Sequence, residues 1–290
     1  MNIQKNVLER SNNKKLKIDK LKLINKRYAC LEEVGRGGVS IVYKGIDIYS
    51  EYYEKKSNIV IKIPNEELSK KIDIDAFVYA EYSFLKKLNC DNIVRVLDFG
   101  IDKKTNVPFL VLEYIEGKLL SEISLVDIPL KAKKQMFKIL LKTLHYIHSK
   151  NIIHADISPS NIIIKDDYTP VIFDFGISQN INTENSFTLK YEKVKAFNPL
   201  YSPPELLLEK NPKPTIYSDF FSLGTIFYEI FEKKPLFCNS SEELLSNPII
   251  KREFIHTPFY FKIWLKKVLS VVPEKRSLNN NLFYYNLINF

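Results

Sequence analysis

The stretch Ile153-His154-Ala155-Asp156-Ile157-Ser158-Pro159-Ser160-Asn161, with Asp174-Phe175-Gly176 shortly after it, decides how this 290-residue chain is read. Asp156, Asn161 and Asp174 each sit in or beside a strongly apolar run, where an ionised or polar group needs a chemical reason to be. Between them, Asn161 to Ile164 and Pro170 to Phe173 read as two short strands. The three polar side chains would then project from the ends of neighbouring loops into one cleft. Two acids and an amide so placed suggest a phosphate and metal site, since their oxygens are hard donors. Any one of them alone reads better as an Asx side chain capping its own backbone, and only the ordered set points to chemistry.

Upstream, the runs YACLEEV, SIVYKGIDIY and NIVIKI between Tyr28 and Ile63 are β-branched and aromatic, and glycine or polar turn clusters separate them. They read as a meander of antiparallel strands. Val34-Gly35-Arg36-Gly37-Gly38-Val39-Ser40-Ile41-Val42 lies between two of them, so backbone N–H groups could approach a phosphate there. By itself such a hairpin is more often just a tight turn, and the strand after it argues against a Walker loop or a Rossmann fingerprint. Strand alternation puts Val60 and Lys62 on one face and Ile59, Ile61 and Ile63 on the other. A helix follows between Asp75 and Leu88, where Phe77, Leu85 and Leu88 share an apolar face that Glu81 interrupts. Lys62 and Glu81 therefore form a plausible buried ion pair that would hold an ammonium beside a phosphate.

Two more strands, around Ile93 to Phe99 and Pro108 to Glu113, would complete the first sheet, and beyond Gly117 the chain becomes mostly helical. Helices are expected over Leu130–His148, Thr215–Phe231, about Tyr260–Leu269 and near Leu282–Phe290. Residues 1–27 read as a basic, solvated N-terminal extension, because the apolar positions among Lys14, Lys15, Lys17, Lys20 and Lys22 fit neither helix nor strand for long.

With 45% hydrophobic residues the chain can bury a large core. The net charge of +9 favours anionic partners, although lysine is also the default solvating residue of a chain with this Lys, Asn, Ile, Tyr and Phe bias. No interleaved aromatic and basic stripe or zinc-type cluster supports nucleic-acid binding. Three widely separated cysteines argue against a disulfide framework, and neither a secretory signal nor a membrane-length apolar run is present, so a cytoplasmic location is expected.

Taken in order, these motifs resemble those of the eukaryotic-type protein kinase family, serine/threonine branch, from Tyr28 to the end of the chain. The resemblance runs through the glycine loop, Lys62, Glu81, a hinge at Leu112-Glu113-Tyr114-Ile115, the Asp156 loop and Asp174-Phe175-Gly176. It continues with Ser202-Pro203-Pro204-Glu205, Ser218 to Gly224 at the start of an apolar helix, and a late Arg276. It implies an α+β, bilobal fold: an N-lobe of about 28–114 with a small antiparallel sheet and one helix, and a mainly helical C-lobe of about 115–290. It also implies ATP and Mg²⁺ as cofactors and protein serine or threonine hydroxyls as acceptors, with the oligomeric state left open.

By the same resemblance, Asp156 is the base or orienting group and Lys62 the phosphate anchor held by Glu81, while Asn161 and Asp174 are the metal ligands. Val42, Val60 and Ile163 would enclose adenine, Leu112 would be the gatekeeper, and the backbone of Glu113 and Ile115 would bond the adenine edge. Leu85, His154 and Phe175 would stack as a spine, and Glu205 would pair with Arg276. Tyr201 stands where the tyrosine branch usually has Trp, and Asn198, in place of the usual threonine, is expected to bond towards Asp156.

Two departures stand out. Ala155 replaces the arginine that in the family pairs with a phosphorylated activation segment, so phosphate on Ser178, Thr183, Ser186 or Thr188 would lack that partner. Ser158 stands where a lysine usually neutralises the transferred group, and losing that cation is expected to slow transfer by about 100-fold or more. A nucleotide-binding pseudokinase and a small-molecule kinase are the alternatives.

Overall fold

Alternating apolar residues pair into a six-stranded antiparallel sheet. Its strands are β1 (Lys22–Ile24), β2 (Tyr28–Arg36), β3 (Ser40–Asp47), β4 (Asn58–Pro64), β5 (Val96–Ile101) and β6 (Pro108–Glu113), in the order β1-β2-β3-β4-β6-β5. The computed structural model describes residues 22–37, 40–53, 58–65, 73–181, 197–210, 212–248 and 254–276. The chain divides into two units, one formed by residues up to Lys86 with Val94–Ile115 and the other by Lys87–Ile93 with Glu116 onward. Gly38 and Val39, the candidate phosphosites Thr183, Ser186 and Thr188, and the helix expected near Leu282–Phe290 lie outside the described residues.

In the first unit the alternation of β4 works as its sequence dictates. Ile59, Ile61 and Ile63 are buried with Ile24, Tyr28, Cys30, Phe109 and Val111, which leaves Val60 and Lys62 on the other face. A short helix, α1 (Ile48–Tyr53), starts where Asp47 accepts the Tyr49 N–H at 3.0 Å. The longer α2 (Ile74–Leu85) is capped by Asp73, which accepts from the Ala76 N–H at 3.2 Å. Among its described residues this unit thus holds two helices where one is expected. Its sheet also begins ahead of Tyr28: β1 pairs with β2, Ile24 is buried, and Arg27 bonds Asp47 at 2.7 Å. Three strand residues and a turn with positive φ at Asn25 and Lys26 are too short to register as a periodic pattern.

The second unit is built on helices. In α3 (Leu130–Ser149) one face is buried, and Phe137 meets the rings of Phe227, Phe261 and Trp264 edge-on at 4.9, 4.6 and 4.7 Å. Phe227 lies on α5 (Ile216–Glu232), and the other two rings on α7 (Phe259–Val268). Nearly every residue of α5 is buried, as an all-round apolar helix must be. Gly224 permits its close approach to α7, because a Cβ there would stand 2.6 Å from the Val268 side chain.

The small strands of this unit carry the loops of interest. They are β7 (Lys118–Leu119), β8 (Ile152–Ile153), β9 (Ile162–Ile164), β10 (Pro170–Ile172) and β11 (Gln179–Asn180), forming the sheets β10-β9-β7 and β11-β8. The short helices α4 (Pro204–Leu208) and α6 (Glu243–Ser246) complete the unit. Residues 87–93 belong here because the Asn89 N–H donates to the Tyr146 hydroxyl at 2.9 Å and the Ile172 N–H to the Asn92 carbonyl at 2.9 Å.

Candidate active site

In the first unit, register brings the expected nucleotide residues onto three adjacent strands. Val42 faces Lys62, while Val60 lies opposite Leu112 and Ile59 opposite Glu113. Directly opposed residues share a face, so Val42, Val60, Lys62 and Leu112 line one surface of the sheet. Lys62 donates to both carboxylate oxygens of Glu81, each at 2.9 Å, and both side chains are buried. The lone acid on the apolar face of α2 thus has the cation that its burial requires. Gly35 and Gly37 lie at the β2–β3 turn, where the Gly37 N–H donates to the Ser40 carbonyl at 2.9 Å. Ser40 and Ile41 belong to β3, Val34 is exposed on β2, and Arg36 folds back onto Glu33 in a bidentate pair at 2.7 Å. The Glu113 N–H is bonded to the Arg95 carbonyl at 3.0 Å, and Ile115 ends the unit.

In the second unit, the loop from His154 to Asn161 is held from below by one carboxylate. Asp219, in the first turn of α5, accepts the His154 N–H at 2.9 Å and the Ala155 N–H at 2.8 Å, and its Oδ2 is also 2.8 Å from His148 Nε2. Both backbone donors lie in a turn that forms no ladder, so burial obliges them to find a side-chain acceptor. The sequence reading placed Asp219 in a matching motif without a role. The available signal was a carboxylate at the start of an otherwise apolar helix.

Asp156 and Asn161 are directly coupled. The Asn161 amide nitrogen donates to the Asp156 side chain at 2.7 Å and to its backbone carbonyl at 2.9 Å. Asn161 opens into β9, and the Phe173 N–H donates to the Asn161 carbonyl at 3.1 Å. The β9–β10 hairpin therefore sets Asn161 beside the entry to Asp174, as the two short strands suggest. Asp174 adopts a left-handed backbone, with φ of +64°, and accepts the Gly176 N–H at 3.2 Å. A non-glycine residue held in that region costs about 1 kcal/mol or more, so its surroundings must impose it.

His154 fixes the loop internally. Its Nε2 is 3.1 Å from the Phe173 carbonyl and its Nδ1 is 3.2 Å from the Asp156 N–H, while its ring meets Phe175 at 4.6 Å. One nitrogen thus needs a proton to donate and the other a lone pair to accept, which defines a neutral imidazole. Burial pushes its pKa below the ordinary value, and the nearby Asp219 and Phe173 carbonyl only partly offset this. Leu85 is buried in the first unit and Ile163 lies in β9 opposite Val171.

Asn198 caps its own loop in an Asx turn, its side-chain oxygen accepting the Leu200 N–H at 3.1 Å. Ser178 departs from expectation: it is buried, and its hydroxyl donates to the His154 carbonyl at 3.0 Å, which removes it from the accessible phosphosites. The Glu205–Arg276 pair is present and bidentate, at 2.6 and 2.9 Å, with Arg276 fully buried over the Phe221 ring. Tyr201 donates to Glu229 at 2.9 Å; burial raises the pKa of that carboxylate. The sequence reading missed this pair because its partners are remote in the chain and belong to no common pattern.

The donor set suits Mg²⁺. Asn161 uses its amide nitrogen on Asp156, so its oxygen is the atom it can offer a cation, and Asp174 adds a carboxylate. Among the described residues no cluster of three or more His, Cys, Asp or Glu could hold a metal. Two protein oxygens fit an ion that retains waters and takes its other ligands from phosphate.

An ammonium clamped by a helix carboxylate, and a loop carboxylate clamped by an amide ahead of an Asp-Phe-Gly turn, suit the phosphoryl-transferring kinases as a class. The chain belongs to the protein kinase family, in its serine/threonine branch: the protein kinase domain matches residues 28–283. It is 31% identical over 254 residues to the serine/threonine-protein kinase TIO of Arabidopsis thaliana, covering 86% of this chain and 18% of that protein. It is 30% identical over 263 residues to cyclin-dependent kinase 2 of Caenorhabditis elegans, covering 83% and 68%. For cyclin-dependent kinase 4 of Mus musculus the figures are 27% over 225 residues, covering 74% and 71%. The chain thus spans about a fifth of TIO and about two thirds of the cyclin-dependent kinases.

Proposed function

We propose that this chain transfers the γ-phosphoryl group of ATP to serine or threonine hydroxyls of protein substrates, with Mg²⁺, and without requiring a phosphorylated activation segment. The coupling of Asp156 to Asn161 carries the reading. It fixes a half-buried carboxylate through an amide nitrogen and leaves the oxygen of that amide to serve as a metal ligand. Asp156 accepts or orients the proton of the attacking hydroxyl, and Lys62, held straight by Glu81, binds phosphate oxygens as a fixed positive charge. Asn161 and Asp174 would hold Mg²⁺, which would supply charge neutralisation at the phosphates. In the first unit, Val42, Val60, Leu112 and the backbone of Glu113 and Ile115 serve the adenine and the glycine hairpin serves the phosphates; in the second unit, Ile163 is the adenine residue.

Ser158 is buried and bonded to Ser160 at 2.9 Å between hydroxyls, so the loop supplies no cation at that position. This is a slow kinase as a result. A cytosolic setting is part of the reading, supported by three free cysteines and by the absence, among the described residues, of any helix long and apolar enough to cross a membrane.

The test is transfer of radiolabelled phosphate from ATP to mixed protein substrates, comparing wild type with Asp156→Asn and Lys62→Ala. Both variants should lose at least about 100-fold in rate. Retained transfer in Asp156→Asn would overturn the assignment, and Mg²⁺-dependent ATP binding with no transfer by wild type would make the chain a pseudokinase.

A further inference from the structure

Ala155 has a left-handed backbone, with φ of +69°, and it is buried in an apolar cluster with Ile153 and Ile177. Phe197 and Ile216 pack against that cluster from outside. The five residues come from separate places in the chain: Ile153 from the end of β8, Ala155 from the catalytic loop and Ile177 from the stretch after Asp174. Phe197 lies just ahead of the Asn198–Glu205 segment, and Ile216 is the first residue of α5.

Polar ties surround the cluster without entering it. Gln179 and Asn180 pair with Ile153 and Ile152, the Ile181 N–H donates to the Asn151 carbonyl at 2.9 Å, and the Ser178 hydroxyl donates to the His154 carbonyl at 3.0 Å. These bonds tie the stretch after Asp174 to the catalytic loop. The packing of Phe197 on the cluster links the chain that returns there to the same loop. Every side chain in the cluster is apolar, so the cluster itself offers a phosphate dianion no partner.

We infer that Phe197, backed by Ile216, is a positioning residue. By apolar packing on Ala155 and Ile177 it holds the returning segment against the catalytic loop, the task that a phosphate and an arginine share in kinases with arginine at the position of Ala155. The inference rests on the protein kinase reading above and adds to it the means by which phosphorylation is dispensed with. Phe197 acts through Ala155 and touches no reacting atom.

The experiment compares wild type with Phe197→Ser and Phe197→Val, each before and after phosphatase treatment, in steady-state transfer and in amide hydrogen exchange. Phe197→Ser should lower kcat at least tenfold and leave the KM for ATP within twofold. Phe197→Val, which keeps an apolar contact, should fall within about threefold of wild type. Phosphatase should change none of the three. Exchange should quicken at residues 153–155 and 177–181 in Phe197→Ser, while the strands β2 to β4 stay as protected as in wild type. An unchanged kcat in folded Phe197→Ser would overturn the inference, as would a loss above tenfold when wild type is dephosphorylated. If wild type shows no transfer, the kinase reading fails, and exchange still decides the packing: protection at residues 153–155 equal in all three proteins would sink it. Should Phe197→Ser not fold, Phe197→Val alone decides, with measurably faster exchange at 153–155 expected and no change counting against the inference.

Discussion

His154 shows how much one side chain in the loop must satisfy. Its ring donates at Nε2, accepts at Nδ1 and meets Phe175 edge-on, and a second proton would set a new N–H against the Asp156 N–H. The folded chain therefore takes up this proton at lower pH than the unfolded chain does. The stability His154 contributes is complete above the ordinary imidazole pKa of about 6.5 and is lost as pH falls through it towards the lowered value, at up to about 1.4 kcal/mol per pH unit. Thermal unfolding followed from pH 7.5 to 5.5 should show that loss, and His154→Phe should flatten it; an equal slope in the variant would remove His154 as the cause. At this scale the candidate groups stand out in the sequence, because Asp156, Asn161 and Asp174 are polar residues in apolar runs and must be explained. The burial of Ser178 was not legible, because a hydroxyl can face solvent or bond a remote carbonyl, as this one does to that of His154, and residue type does not decide between the two.

Elements fix these residues through a few buried polar links. Arg276 pairs with Glu205 at the start of α4, donates to the Ser270 carbonyl at 2.7 Å and lies 4.8 Å over the Phe221 ring of α5. Arg276→Ala would strand a carboxylate, a cost of about 3 to 5 kcal/mol, lowering the melting temperature by roughly 10 °C. Arg276→Lys cannot reproduce the fork and should recover only part of that loss. Calorimetry of both variants tests this, and a change under 2 °C in Arg276→Ala would refute the link's importance. Long elements were readable: the helix expected over Leu130–His148 runs from Leu130 to Ser149, and the strand at Pro108–Glu113 has those bounds. Short ones were not. β1, α1 and β11 hold two to six residues each, too few for any period to show, and they exist because neighbours complete their hydrogen bonds.

At the scale of the whole chain, the first unit ends at Ile115, close to where β-branched runs give way to helical spacing in the sequence. The start of the fold was harder to see, since lysines flank the few apolar residues before Tyr28. Ile24 is buried in the sheet core, and Arg27 bonds Asp47 and lies 4.7 Å over the Tyr28 ring. Starting the chain at Tyr28 should therefore cost about 2 to 3 kcal/mol from lost burial alone, or roughly 5 °C in melting temperature, and a chain starting at Lys22 should retain it. Equal melting of the two would show that β1 adds nothing. Asp219 has a consequence of a different kind. Because it grips the loop by the main-chain N–H groups of 154 and 155, that hold needs no charge at 155 or 158. Cations lost from those positions can therefore leave the support beneath Asp156 standing. Putting them back is a different matter: both side chains are buried, and a cation at 155 would enter the apolar cluster against which Phe197 packs.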